Sequence, residues 1–133
     1  VMEEVLKTYP NDVKLVFKNF PLSFHQTAKP AAMAALAAGK QGKFWEMHDF
    51  LFTNQNALSE GNFLNFAKAL KLNMNKFKAD LKDAALEKEI ENDLAYGSQV
   101  GIGGTPAFFI NGVLISGPQP LENFKVVIDR FLK

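Results

Sequence analysis

The run from Gly101 to Pro120 leaves the chain few choices. Gly101-Ile102-Gly103-Gly104 holds three glycines in four residues, too permissive a stretch to sit inside a helix or a strand. Thr105-Pro106 follows. Proline cannot donate to a ladder, so a strand can open at Pro106 but cannot run through it. Pro106 to Asn111 and Val113 to Ser116 are short β-like runs, and Asn111-Gly112 between them is the strongest short-range hairpin signal. Gly117-Pro118-Gln119-Pro120 closes the hairpin. Leu121, Phe124, Val127, Ile128, Phe131 and Leu132 then recur at helical spacing. The C-terminal third is therefore a glycine loop, a hairpin and an amphipathic helix, in that order.

The rest of the chain reads as mostly helical. Met2, Val5, Leu6 and Tyr9 fall at i, i+3, i+4, i+7 and predict a first helix that stops at Pro10-Asn11-Asp12. Val13 to Phe20 alternates in strand fashion, with Val16 adding apolar character to its second face, and reads as an interior strand ended by Pro21. Thr27 is placed to cap a helix that tolerates Pro30 in its first turn and continues through the alanine-rich run 31–38. Phe44 to Phe52 is a short aromatic helix. Ser59 caps the next, and Asn73 or Asn75 opens another. The row Leu86, Ile90, Leu94 is out of phase with what precedes it, which predicts a break near Asp83 to Ala85. Gly97 to Gly104 is expected to be a loop.

Composition narrows the function. In 133 residues, 47% apolar and 22% charged, there is enough for one packed domain. Lys plus Arg is 15 and Asp plus Glu 14, which gives no bulk attraction to nucleic acid or anionic membrane, and Arg130 is the sole arginine. The longest apolar run, Ala31 to Ala38, is too short to span a bilayer, so no membrane insertion is expected. With no cysteine, a disulfide framework, a thiolate metal site and thiol chemistry by these residues are all excluded. The first helix lacks a capping residue and is already in pattern at Val1, which predicts a piece of a longer protein.

Few residues offer chemistry of their own. The glycine loop lacks the third glycine of a dinucleotide fingerprint, since Pro106 stands there, and lacks the Gly-Lys-Ser/Thr of a phosphate loop. His25 reads as a capping or exposed residue and His48 as a packed, hydrogen-bonded one. Their spacing makes no metal motif, and no serine stands in a nucleophile elbow. Glu87, Glu89, Glu91 and Asp93 read as a solvated helix face, and the phenylalanines as core. What remains is Gly104-Thr105-Pro106. A cis Thr105–Pro106 bond would turn the chain sharply and hold the Thr105 backbone outward as a template for an extended peptide, whereas a trans bond would simply enter the strand.

Three stretches carry a family resemblance. Asn19-Phe20-Pro21-Leu22 with His25 and the alanine-rich helix, Gly42-Lys43-Phe44-Trp45-Glu46-Met47-His48-Asp49, and Gly101 to Gly112 with Gly117 and Pro120 together resemble the DsbA-like branch of the thioredoxin superfamily over the whole chain. The resemblance implies an α/β thioredoxin-like fold, helix-rich with about three strands, as a single truncated domain over 1–133 with a helical insertion at about 26–96. It implies a Cys-x-x-Cys upstream of Val1 and a missing central strand between 13–20 and 106–110. From that follows a sheet that closes its gap, rearranges, or borrows a strand in a swapped homo-oligomer. It also implies thiol-disulfide exchange with protein substrates by the parent protein, in the periplasm or another extracytoplasmic space, without a cofactor. Gly104, Thr105 and Pro106 would be the substrate-binding residues of a chain that is itself redox-inactive. The alternative function is a non-catalytic module that binds peptides or a partner. An unrelated helical domain with a hairpin is the third reading.

Overall fold

A computed structural model describes every residue from Val1 to Lys133. The order is α1 (Met2–Thr8), α2 (Ala28–Gly39), α3 (Phe44–Thr53), α4 (Glu60–Ala69), α5 (Met74–Asp80), α6 (Ala84–Gln99), β1 (Ala107–Ile110), β2 (Val113–Ser116) and α7 (Leu121–Leu132), with a 3₁₀ turn at Gln55–Ala57. The chain divides into two compact units, Asn19–Gly97 and the two ends Val1–Lys18 with Ser98–Lys133.

The helical unit is built around α2. Alanine has the highest helix propensity and the smallest side chain that still packs. Ala34, Ala37 and Ala38 are fully buried, and Met47, Phe63, Phe77 and Ile90 from the surrounding helices fill the space against them. Caps set the helix starts. The Ser59 hydroxyl accepts the Asn62 N–H at 3.2 Å, and the Asn73 side chain accepts the Lys76 N–H at 3.1 Å, so Asn73 rather than Asn75 opens α5. Thr27 stands at the α2 N-cap but makes no side-chain cap bond. The expected break falls between α5 and α6, where the Asp83 carboxylate takes the Ala85 N–H at 2.8 Å. Asp93 is not simply solvated. One of its oxygens accepts both the backbone N–H of Asn19 at 2.9 Å and its side-chain amide at 3.2 Å.

In the other unit, α1 and α7 pack together beneath the hairpin. Val5 and Tyr9 from α1 and Phe124 and Ile128 from α7 are buried, and Phe108, Ile110 and Ile115 of the hairpin close over them. Phe108 meets Phe124 edge to face, centroids 4.9 Å apart. The Tyr9 hydroxyl donates to Asp129 at 2.5 Å and ties the two helices.

Two expectations need correction. Val13–Phe20 forms no strand, and the sheet has two strands rather than about three. The period-2 pattern is real, but a strand exists only against a neighbouring strand, and the sheet consists of β1 and β2 alone. Val16 stays 60% and Phe17 39% exposed. Gly97 is helical and buried, because α6 runs on to Gln99 before the loop begins.

Hydrogen bonding to Asp129 pushes the Tyr9 pKa up from 10.0 to about 12. The folded state holds this proton more tightly than the unfolded chain. Its contribution is therefore full below pH 10 and lost as pH rises through about 12. Urea unfolding should show stability falling across that window, and Tyr9→Phe should flatten the fall while lowering stability at neutral pH. In the helical unit, Phe77→Ala empties a fully buried site. It should cost about 3–5 kcal/mol in the same assay.

Candidate functional site

The hairpin register fixes what the loop before it presents. Ala107 pairs with Ser116, Phe108 with Ile115, Phe109 with Leu114 and Ile110 with Val113. Asn111 and Gly112 both take positive φ, 47° and 87°, as a two-residue primed turn requires. In such a hairpin the closing pair is hydrogen-bonded and the pairs alternate from there. The Gly117 N–H donates to the Pro106 carbonyl at 2.8 Å, which continues the alternation to the loop. So Ala107 and Phe109 turn their N–H and C=O away from β2, and Leu114 and Ser116 turn theirs away from β1.

The faces separate in the same way. Phe108, Ile110 and Ile115 point to the core, while Phe109 and Leu114 point the other way, each 43% exposed. The Thr105–Pro106 bond is cis, and both residues are exposed. Gly104 is half-buried beside them. Together with Gly101, Ile102 and Gly103, and with Ala107, Leu114, Ser116 and Gly117 of the hairpin, they line an open cleft of about 200 Å³. No charged side chain lines it, and it carries no acid, base or nucleophile beyond hydroxyls.

The three residues singled out in the sequence thus come together at one end of the hairpin. The cleft wall formed by Leu114 and Ser116 is not evident from the sequence until the Asn-Gly turn is used to set the register. His25 and His48 belong to the helical unit. His25 is exposed in the turn before α2, where its carbonyl accepts the Ala28 N–H at 3.1 Å. His48 is half-buried on α3, with Nδ1 3.1 Å from an Asp49 carboxylate oxygen and its ring against Phe52, centroids 4.5 Å apart. No three His, Asp or Glu side chains gather as a metal site.

Gly103 and Gly104 differ from Gly112. Neither takes a positive φ, and a Cβ added to either would meet nothing within 4 Å. Gly104→Ala should leave thermal stability unchanged or raise it by about 0.4–1 kcal/mol through the unfolded chain. Gly112→Ala, placed at φ +87°, should lower it. Thermal melts of the two variants side by side check this.

Known proteins place the chain. A family model described as Thioredoxin matches residues 1–130. Among curated relatives, a Na(+)/H(+) antiporter NhaA 3 of Salinispora tropica is 35% identical over 128 residues, covering 96% of this chain and 20% of the antiporter. An NhaA antiporter of Herminiimonas arsenicoxydans is 33% identical over 121 residues, 91% of this chain and 19% of its own. The chain spans about a fifth of the length of these relatives. Among solved structures, a thioredoxin-like oxidoreductase from Silicibacter pomeroyi superposes with TM-score 0.88 at 26% identity, over 98% of this chain and 75% of that one. The thiol-disulfide exchange protein alpha-DsbA2 from Wolbachia pipientis gives 0.82 at 24% identity, over 98% and 73%. No helix here is long and apolar enough to cross a membrane. Helix-rich, with a two-stranded sheet and a DsbA-like fold, this chain belongs to the thioredoxin family.

Proposed function

We propose that this chain holds polypeptide substrates for a DsbA-like thiol-disulfide oxidoreductase and leaves the redox chemistry to sulfurs outside these residues. The observation that carries the reading is the uncharged cleft at Gly104-Thr105-Pro106, continuous with strand backbone that turns outward at Ala107 and Phe109. An extended chain laid there gains backbone hydrogen bonds without needing a particular side chain, which suits an enzyme that handles many partners. Disulfide exchange proceeds by attack of a thiolate on a disulfide, with a second thiolate leaving. A chain without cysteine can perform neither half, so its share of the work is binding and orientation. On this reading the chain is one part of a thioredoxin-type domain over 1–133 whose cysteine pair lies outside it, working in an extracytoplasmic space where disulfides persist. The outward backbone of the hairpin would equally accept a strand from a second copy, giving a swapped oligomer.

A second reading rests on the curated relatives. They are named as sodium/proton antiporters, and nearly the whole of this chain matches about a fifth of each. On that reading the chain is a non-catalytic module that binds a partner beside an ion antiporter.

Nitrogen-15-labelled chain titrated with reduced, unfolded ribonuclease separates the two. The first reading expects saturable shifts of the Gly103 to Phe109 amides and no oxidation of the ribonuclease thiols. Gly104→Val should weaken this binding several-fold while the fold persists. Binding without shifts in that segment, or dithiol oxidation by the purified chain alone, overturns it.

A further inference from the structure

The tip of the hairpin carries a reactive pair of residues. Asn111-Gly112 is the one Asn-Gly step in the sequence. An asparagine carboxamide can be attacked at its carbon by the next residue's backbone nitrogen, and what hinders that approach is the next residue's side chain. Glycine has none. Every other asparagine of this chain is followed by a residue that carries one.

The structure leaves the pair unguarded. Both residues are exposed. The side chains of Asn19, Asn54, Asn62 and Asn73 are each held by a hydrogen bond, to Asp93, Phe50, Ala57 and Lys76. The Asn111 side chain makes none. A Cβ added to Gly112 would meet nothing within 4 Å, so the space beside this residue is open. The ladder does not use the Gly112 nitrogen either, because the pair that closes the hairpin is Ile110 with Val113. Attack needs the turn to open, and a ribbon tip opens at a small fraction of the free energy of global unfolding.

We propose that Asn111 is a site of spontaneous deamidation and that its product loosens the hairpin. The Gly112 nitrogen, its proton taken by hydroxide, bonds to the Asn111 side-chain carbonyl carbon. The bond from that carbon to Nδ2 breaks, and ammonia leaves with a proton returned by water. The five-membered succinimide is then opened by one water, whose oxygen joins a carbonyl carbon while a proton goes back to the Gly112 nitrogen. Opening at the side-chain carbonyl gives aspartate, which suits the same turn. Opening at the main-chain carbonyl gives isoaspartate, and the backbone then runs through the Asn111 Cβ. That adds one methylene to a two-residue turn held at φ 47° and 87°. The turn sets the register of all four pairs from Ile110–Val113 to Ala107–Ser116, so a lengthened turn disturbs the whole ribbon. Either product also adds one negative charge at the tip.

The full chain is aged in mildly alkaline buffer made with oxygen-18 water and then mapped by peptide mass spectrometry. The fragment holding Asn111 should take up one heavy oxygen, and faster than the fragment holding Asn75, which is exposed but followed by Lys76. The rate should rise in proportion to hydroxide. The aged Asn111 fragment should accept a methyl group from a protein-isoaspartate methyltransferase, which aspartate does not. The aged chain should melt below the fresh one. Asn111→Asp carries the same added charge on an unaltered backbone, and should melt with the fresh chain. Heavy-oxygen uptake at Asn111 no faster than at Asn75 overturns the proposal. So does aspartate as the only product, or an aged chain that melts no lower than Asn111→Asp.

Discussion

A two-stranded ribbon is marginal in water on its own, and the candidate site sits on one. What makes the ribbon persist is the apolar floor under it. Phe108, Ile110 and Ile115 can leave water together because Phe124 and Ile128 of α7 and Val5 and Tyr9 of α1 meet them. The period of two then decides the rest. With Phe108 and Ile110 committed inward, Phe109 must face out, and the backbone of Ala107 and Phe109 must turn away from β2. The geometry of the glycine loop is thus inherited from packing on the opposite face of the hairpin. Loss of that floor would unmake the cleft before it touched a single residue lining it.

The same unit carries the proposal that the chain holds a substrate and leaves the chemistry to other residues. The cleft is lined by glycine, alanine, serine, threonine, proline and two aliphatic residues, with the carboxylates and ammonium groups elsewhere. Such a lining offers hydrogen bonds and close approach of backbone, and no group that titrates near neutral pH. Side chains missing at Gly103 and Gly104 are not demanded by local conformation or by neighbours within the chain. Open backbone of this kind is what another polypeptide needs in order to lie flat against a strand end.

Much of this was legible in the sequence, for reasons that are local. The Asn-Gly turn, the proline at the strand mouth, the alanine-rich helix and the caps at Ser59 and Asn73 each act within a few residues, so their outcome does not depend on distant parts of the fold. The failures are non-local. Val13–Phe20 has the alternation of a strand, yet a strand is a property of two segments, and this one joins no sheet. Phenylalanine spacing predicted burial throughout, but Phe24 is 74% and Phe52 59% exposed. Hydrophobicity says what would gain from leaving water, and only the packing of neighbouring helices decides which side chains find a place. Gly97 misled in the same way, since it is buried within a helix rather than set in the loop that follows.

The central claim is that the strand edge beside Pro106 is open in the free chain and closes on a bound polypeptide. Residue-by-residue amide hydrogen exchange tests it most directly. In the free chain, the Phe108 and Ile110 amides should be protected by β2, and those of Ala107 and Phe109 should exchange quickly. With saturating reduced, unfolded ribonuclease, Ala107 and Phe109 should gain protection while Phe108 and Ile110 stay as they were. Uniform protection along β1 in the free chain, or no gain at Ala107 and Phe109 on binding, would contradict the account.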